Sequence, residues 1–179
     1  MRLELYGRHL NTVEEASLRR VVNRQHKPII DGLTGFADHR ILSETVESEI
    51  KRSKRSGREF AMLVFTLNRI KQINDFHVDA ALDQGCRRLA HILRVSCRII
   101  DTVARHGDDK IVIILLESGA EVAEAVYHRI YELSFMDSGE SLLSTNIGIA
   151  IYPSDGKTLD TLLQFAARDS DAKNQRLGV

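Results

Sequence analysis

The sequence predicts an α+β fold in which helices flank a central mixed, mostly antiparallel sheet, and three observations predict it. Apolar runs of strand length alternate with amphipathic stretches of helical length, in the order α-β-α-β-β-α-β-α. One run, Phe60-Ala-Met-Leu-Val-Phe-Thr-Leu67, is almost continuously apolar, the mark of a central strand buried on both faces. The polar stretch His106-Gly-Asp-Asp-Lys110 separates two short β-type segments and has the chemistry of a hairpin turn.

Residues 1–28 read as an N-terminal helix and linker. Leu3, Tyr6, Leu10 and Val13 keep helical spacing, the stripe breaks, and it resumes at Leu18, Val21 and Val22. Arg19, Arg20, Arg24 and Lys27 make it polar, and Pro28 ends it. A connecting or dimerising helix is expected, with too few heptads for a coiled coil. From residue 29 to 179 a single domain is expected. Ile41 to Lys54 is an amphipathic helix with Ile41, Leu42, Val46 and Ile50 on one side, stopped by Gly57. Ala80 to Ser96 is a helix carrying Leu82, Cys86, Leu89 and Leu93 at helical spacing. Thr102–Arg105 and Ile111–Leu116 are the hairpin strands. Glu121–Leu133 is a helix, Leu142–Tyr152 a strand, and Leu159–Gln175 the last helix. A mixed order with one hairpin is close to a ferredoxin-like split βαβ arrangement.

Composition narrows the function. The 179 residues make about one domain, enough to bury roughly two-thirds of the unfolded chain's surface. Lys+Arg and Asp+Glu both total 25. That balance argues against a general nucleic-acid surface, but not against one nucleotide site. No apolar run approaches the ~18 residues of a membrane span, and no signal-peptide pattern opens the chain. Cys86 and Cys97 lack metal-type spacing and read as reduced thiols of a cytoplasmic protein. The basic run Lys51-Arg-Ser-Lys-Arg55 reads as a solvated helix end. His77, Asp79 and Asp83 are a weak metal-cluster candidate.

Four stretches, in order and at matching spacing, resemble the GGDEF domains, the diguanylate cyclase family. Asp31-Gly-Leu-Thr-Gly35 followed by Asp38-His39-Arg40 resembles that family's D-x-L-T-G-L-x-N-R-R opening. Lys71-Gln-Ile-Asn-Asp75 resembles F-K-x-I-N-D, and Arg105-His-Gly-Asp-Asp-Lys-Ile111 stands in the place of R-Y-G-G-D-E-F. Ile147-Gly-Ile-Ala-Ile-Tyr-Pro-Ser-Asp-Gly156 resembles S-x-G-I-A-x-Y-P-x-D-G. The resemblance implies a nucleotidyl-cyclase-like version of the fold. It also implies a place in bacterial cyclic di-GMP signalling, where two domains, each holding one GTP, join them through a carboxylate-bound magnesium pair.

Against that pattern the metal pole is degenerate. Thr66 and Asn68 stand where the family has two aspartates. Asp108 replaces the second signature glycine, Lys110 the next acid and Ile111 the phenylalanine. Gly107 and Asp109 remain, and Asp109 is the one metal candidate. No catalytic set is intact, and Mg²⁺ is expected only if GTP binding survives. The resemblance assigns Asn74 and Asp83 to the guanine, Lys71 and Lys173 to the triphosphate, and Gly107 to close backbone approach to the phosphates. The family's G-H-x-x-G-D has become Val78-Asp79-Ala80-Ala81-Leu82-Asp83. Arg98-Ile-Ile-Asp101 stands where the family has its inhibitory R-x-x-D site for cyclic di-GMP, with Arg129 as that site's second arginine. A guanidinium fork donates to phosphate or to guanine's Hoogsteen edge, and a carboxylate accepts from guanine N–H groups.

Three readings follow. The first is a catalytically inactive domain that binds cyclic di-GMP through Arg98, Asp101 and Arg129. The second is a nucleotide-independent dimerisation or relay scaffold attached to a sensor or effector domain. The third is a weakly active cyclase. Restoring the family's residues at 66, 68, 108 and 110 would make this neutral chain net negative, so part of its neutrality is the missing metal pole.

Overall fold

The computed structural model describes residues 30–69, 78–136 and 143–177. The helix expected over residues 1–28 lies outside them, as do Lys71, Asn74 and His77. The described residues form α1 His39–Ser56, β1 Phe60–Arg69, α2 Val78–Ser96, β2 Thr102–His106, β3 Lys110–Leu115, α3 Ala120–Met136, β4 Leu143–Tyr152 and α4 Leu159–Leu177. This is the order the sequence predicts. Most helices run a little beyond their periodic stretch, because the apolar stripe locates the buried face while caps and turns set the ends.

In α1 both ends are legible. Asp38 is the N-cap, its carboxylate accepting from the N–H groups of Arg40 at 2.9 Å and Ile41 at 3.3 Å. Gly57 closes the helix at φ 71°, donating its N–H to the Ser53 carbonyl at 2.8 Å, while Lys54 and Arg55 complement the C-terminal dipole. Leu42 and Val46 are buried, and Ile41 and Ile50 flank them half-buried.

The sheet order is β2-β3-β1-β4, and every ladder is antiparallel. The parallel component is one isolated bridge between Ala37 and Ala104. β1 is therefore interior, as its continuous apolar run requires. Its odd residues Ala61, Leu63, Phe65 and Leu67 join a core with α2 and α3. Its even residues Phe60, Met62 and Val64 join a second core with α1 and α4. Period-2 alternation sends successive side chains to opposite faces, so burial of both faces leaves no polar alternation to see.

Gly148 brings α4 onto the sheet. A Cβ there would lie 1.7 Å from the Ala166 carbonyl oxygen of α4, so only glycine permits this approach. On the α1/α4 face the apolar rows end at a row that crosses all four strands. His106 pairs with Lys110, Lys110 with Thr66, and Thr66 with Asn146. All four residues are half-buried. The signature hairpin begins at this polar edge.

Candidate functional site

The turn between β2 and β3 holds Gly107, Asp108 and Asp109. Gly107 sits at φ +75°, a conformation that favours glycine. Three attachments fix the turn. Arg105 donates through Nη1 to Asp31 Oδ2 and through Nη2 to the Asp108 carbonyl, both at 3.0 Å. Asp31 Oδ1 accepts in turn from the Thr34 N–H at 2.8 Å and the Thr34 hydroxyl at 2.7 Å. Leu67 donates its N–H to the Asp109 carbonyl at 2.9 Å, binding the turn to β1. Burial raises the Asp31 carboxyl, but the bonds from Thr34 and Arg105 outweigh it and hold it below the usual carboxylate range. The opening motif Asp31-Gly-Leu-Thr is thus the buttress of the signature hairpin.

At the metal pole, Thr66 faces Lys110 across the β1–β3 ladder, and Asn68 follows on the same face. The Lys110 ammonium lies 3.0 and 3.2 Å from the two Asp109 oxygens. Asp108 is exposed. A magnesium pair needs several oxygen ligands, chiefly carboxylates. Here Thr66 and Asn68 are neutral and the Asp109 carboxylate holds an ammonium. Among the described residues no three His, Cys, Asp or Glu side chains converge. These residues do not fit a magnesium pair.

The expected nucleotide pole is only partly within the described residues. Asp83 is exposed on α2. Lys173 is half-buried and engaged internally, 3.0 Å from Asp169, 3.4 Å from Glu124 and 4.5 Å over the Tyr127 ring. Asp169 Oδ2 also accepts the Ile149 N–H at 2.8 Å, so this charge pair joins α4 to β4.

The R-x-x-D stretch forms a closed turn just after α2. Arg98 donates its N–H to Asp101 Oδ2 at 2.9 Å, and Asp101 returns its N–H to the Arg98 carbonyl at 3.1 Å. The two isoleucines between them are pushed into solvent, Ile99 fully and Ile100 at 56% exposure. Asp101 Oδ1 is buried without a hydrogen-bond partner among the described residues. The Arg98 side chain is exposed. Arg129 of α3 donates through Nη2 to the Ser96 carbonyl, which leaves one of its forks capping the end of α2. Between them sits Cys97, whose thiol is pushed up to about 11 by burial and by the Asp101 charge, against the pull of Arg129. The structure thus brings Arg98, Asp101 and Arg129 to one end of α2.

A cleft of about 460 Å³ opens beside this turn, lined by Phe36, Arg94, Cys97, Arg98 and Asp101 among others. Arg94 is absent from the sequence-based candidates. No local spacing signals it, because α2 ends at Ser96 and Arg98 lies in the turn beyond the helix. The role of Asp31 and Thr34 as buttress has no local signal, since Arg105 is distant in sequence.

The described helices include none long and apolar enough to cross a membrane. The fold and the hairpin define a GGDEF-type domain. Residues 28–176 match the family model "Diguanylate cyclase, GGDEF domain", and the chain belongs to that family. It is 33% identical over 138 residues to the bifunctional diguanylate cyclase/cyclic di-GMP phosphodiesterase MucR of Pseudomonas aeruginosa, covering 74% of this chain and 20% of MucR. It is 29% identical over 159 residues to the diguanylate cyclase DgcP of the same organism, covering 84% of this chain and 24% of DgcP. The chain therefore spans about a quarter or less of these relatives. Among solved structures, a sensory box/GGDEF family protein of Caulobacter crescentus superposes with a TM-score of 0.70 at 25% identity, over 83% of this chain and 99% of that one. The coiled coil and GGDEF domain of Caulobacter crescentus DgcB, in complex with cyclic di-GMP, shares the fold with a TM-score of 0.71 at 20% identity, over 93% and 91% of the two chains.

Proposed function

We propose that this domain, over residues 29–179, is a cyclic di-GMP-binding module without cyclase activity. One observation carries the reading. Arg98 and Asp101 line one cleft, where the Asp101 carboxylate, one oxygen holding the Arg98 N–H, stands beside the exposed Arg98 side chain. A guanine presents N–H donors to such an acceptor, and a phosphate or Hoogsteen edge presents acceptors to the guanidinium. Arg129 keeps further donors after capping α2 and supplies the second cation. The Lys110–Asp109 pair and neutral Thr66 support the loss of chemistry. Metal charge is worth several kcal/mol in such a transition state, so its absence lowers the rate by about a thousandfold or more.

Calorimetry with cyclic di-GMP on the wild type and on Arg98→Ala tests the reading. Binding that disappears in the variant is expected, and an inert wild type contradicts it. A weakly active cyclase is the second reading, favoured by family membership and by Gly107 at its positive φ. It requires GTP as ligand at Lys71, Asn74, Asp83 and Lys173, and Mg²⁺ at Asp109. Chromatography of a GTP and magnesium incubation decides, since accumulating cyclic di-GMP would establish it. A homodimer, or a sensor or effector domain in the same cytoplasmic protein, is the partner either reading calls for.

A further inference from the structure

The cleft beside Arg98 has a second cationic wall. Arg94, in the last turn of α2, lines the same cleft of about 460 Å³. Its guanidinium is braced at two points. Nη2 donates to the Thr34 carbonyl, and Cζ stands 5.4 Å over the Phe36 ring. Arg94 is nevertheless exposed. Gly35 makes room for the brace, because a Cβ there would lie 2.7 Å from Arg94 Nη2. A guanidinium has five N–H donors, and the bond to Thr34 uses a fraction of them. A side chain already held in place loses little rotamer freedom when a ligand arrives, and its planar fork suits phosphate or a purine.

We propose that Arg94 is a binding residue of this cleft, gripping a phosphate or guanine of the same cyclic dinucleotide that Arg98 and Asp101 take. The inference rests on the reading of that site given above. It also gives occupancy a physical route to the signature hairpin. The Thr34 carbonyl belongs to the loop in which Asp31 binds the Thr34 N–H and hydroxyl, and Asp31 in turn holds Arg105, which holds the Asp108 carbonyl. Ligand on Arg94 therefore tightens residues 31–37.

Calorimetry with cyclic di-GMP on wild type, Arg98→Ala and Arg94→Lys tests this, together with amide hydrogen exchange over residues 31–37. Lysine keeps the charge and a donor for Thr34 but loses the planar fork. The expected result is affinity about tenfold weaker in Arg94→Lys, with ligand-free exchange and melting as in the wild type. Ligand slows exchange over 31–37 in the wild type and fails to do so in the variant. If lysine loosens the ligand-free loop, Arg94→Gln, which also retains an N–H donor for Thr34, takes its place. Wild-type affinity in the variant with an intact loop, alongside loss in Arg98→Ala, overturns the role of Arg94 and leaves the Arg98 site standing. Affinity lost only in step with loop loosening makes Arg94 structural and overturns the role as well. No binding to the wild type overturns both.

Discussion

Thr66 and Lys110 stand directly opposite each other where β1 pairs with β3, and Lys110 sets its ammonium against Asp109 at 3.0 Å. An ion pair with the protein's own lysine thus occupies the Asp109 carboxylate, at the position where the resemblance places a metal. The wild type should melt at the same temperature with and without millimolar magnesium. The double variant Thr66→Asp, Lys110→Glu should melt lower without magnesium, through carboxylate repulsion, and recover when the cation is added. At a hundred times its Kd the cation contributes about 2.7 kcal/mol. Equal stabilisation of wild type and variant by magnesium would count against an ion-paired, metal-free pole.

The Arg105–Asp31 pair should govern part of the acid stability. Asp31 titrates below its ordinary value in the folded protein. A depressed carboxyl stabilises the fold fully above the unfolded value of about 3.9, and that stability is lost as pH falls through the lower folded value. Asp31→Asn should therefore flatten the fall in stability below about pH 4, in urea melts taken at stepped pH. Arg105→Ala should cost about 1–3 kcal/mol at neutral pH, as a charged acceptor loses its donor. An unchanged acid limb in Asp31→Asn would remove this network from the account.

Gly148→Ala should destabilise, because the clash in the folded state exceeds the ~0.4–1 kcal/mol gained from a stiffer unfolded chain. The added methyl meets the Ala166 carbonyl oxygen at 1.7 Å, so α4 must move away from β4. Overpacking of this kind costs about 1–3 kcal/mol or more. The denaturation midpoint should fall while the m-value holds.

Cys97 should be a slow nucleophile despite partial exposure. Its thiol is pushed up to about 11, so at pH 8 it alkylates roughly a hundredfold more slowly than an ordinary thiol. Iodoacetamide labelling of native and denatured protein, read by mass spectrometry, checks this. Rapid native labelling at Cys97 would contradict the burial and charge placed around it.

How far the sequence reached follows from where its signals are local. β1 was legible because burial on both faces leaves a continuous apolar run, and the Gly107 turn because its residues carry turn chemistry. The end of α1 was legible because Gly57 is adjacent to the stripe. The buttress of Asp31, Thr34 and Arg105 was not, since its partners meet only when the sheet forms. Lys173 shows the same limit. A basic residue at a family position gives no sign that Asp169, Glu124 and the Tyr127 ring surround it. Arg94 was not legible either, since Arg98 lies past the end of α2 and the loop that braces Arg94 is sixty residues earlier in the chain.

The most direct test of the central claim is titration of cyclic di-GMP into the protein in the presence of EDTA, with Arg98→Ala and Asp101→Asn as controls. In the proposed site Arg98 and Asp101 take the ligand without a metal, so saturable binding should persist in EDTA, and both variants should weaken it by about tenfold or more. Absence of binding by the wild type, or equal binding by wild type and Arg98→Ala, would contradict the account.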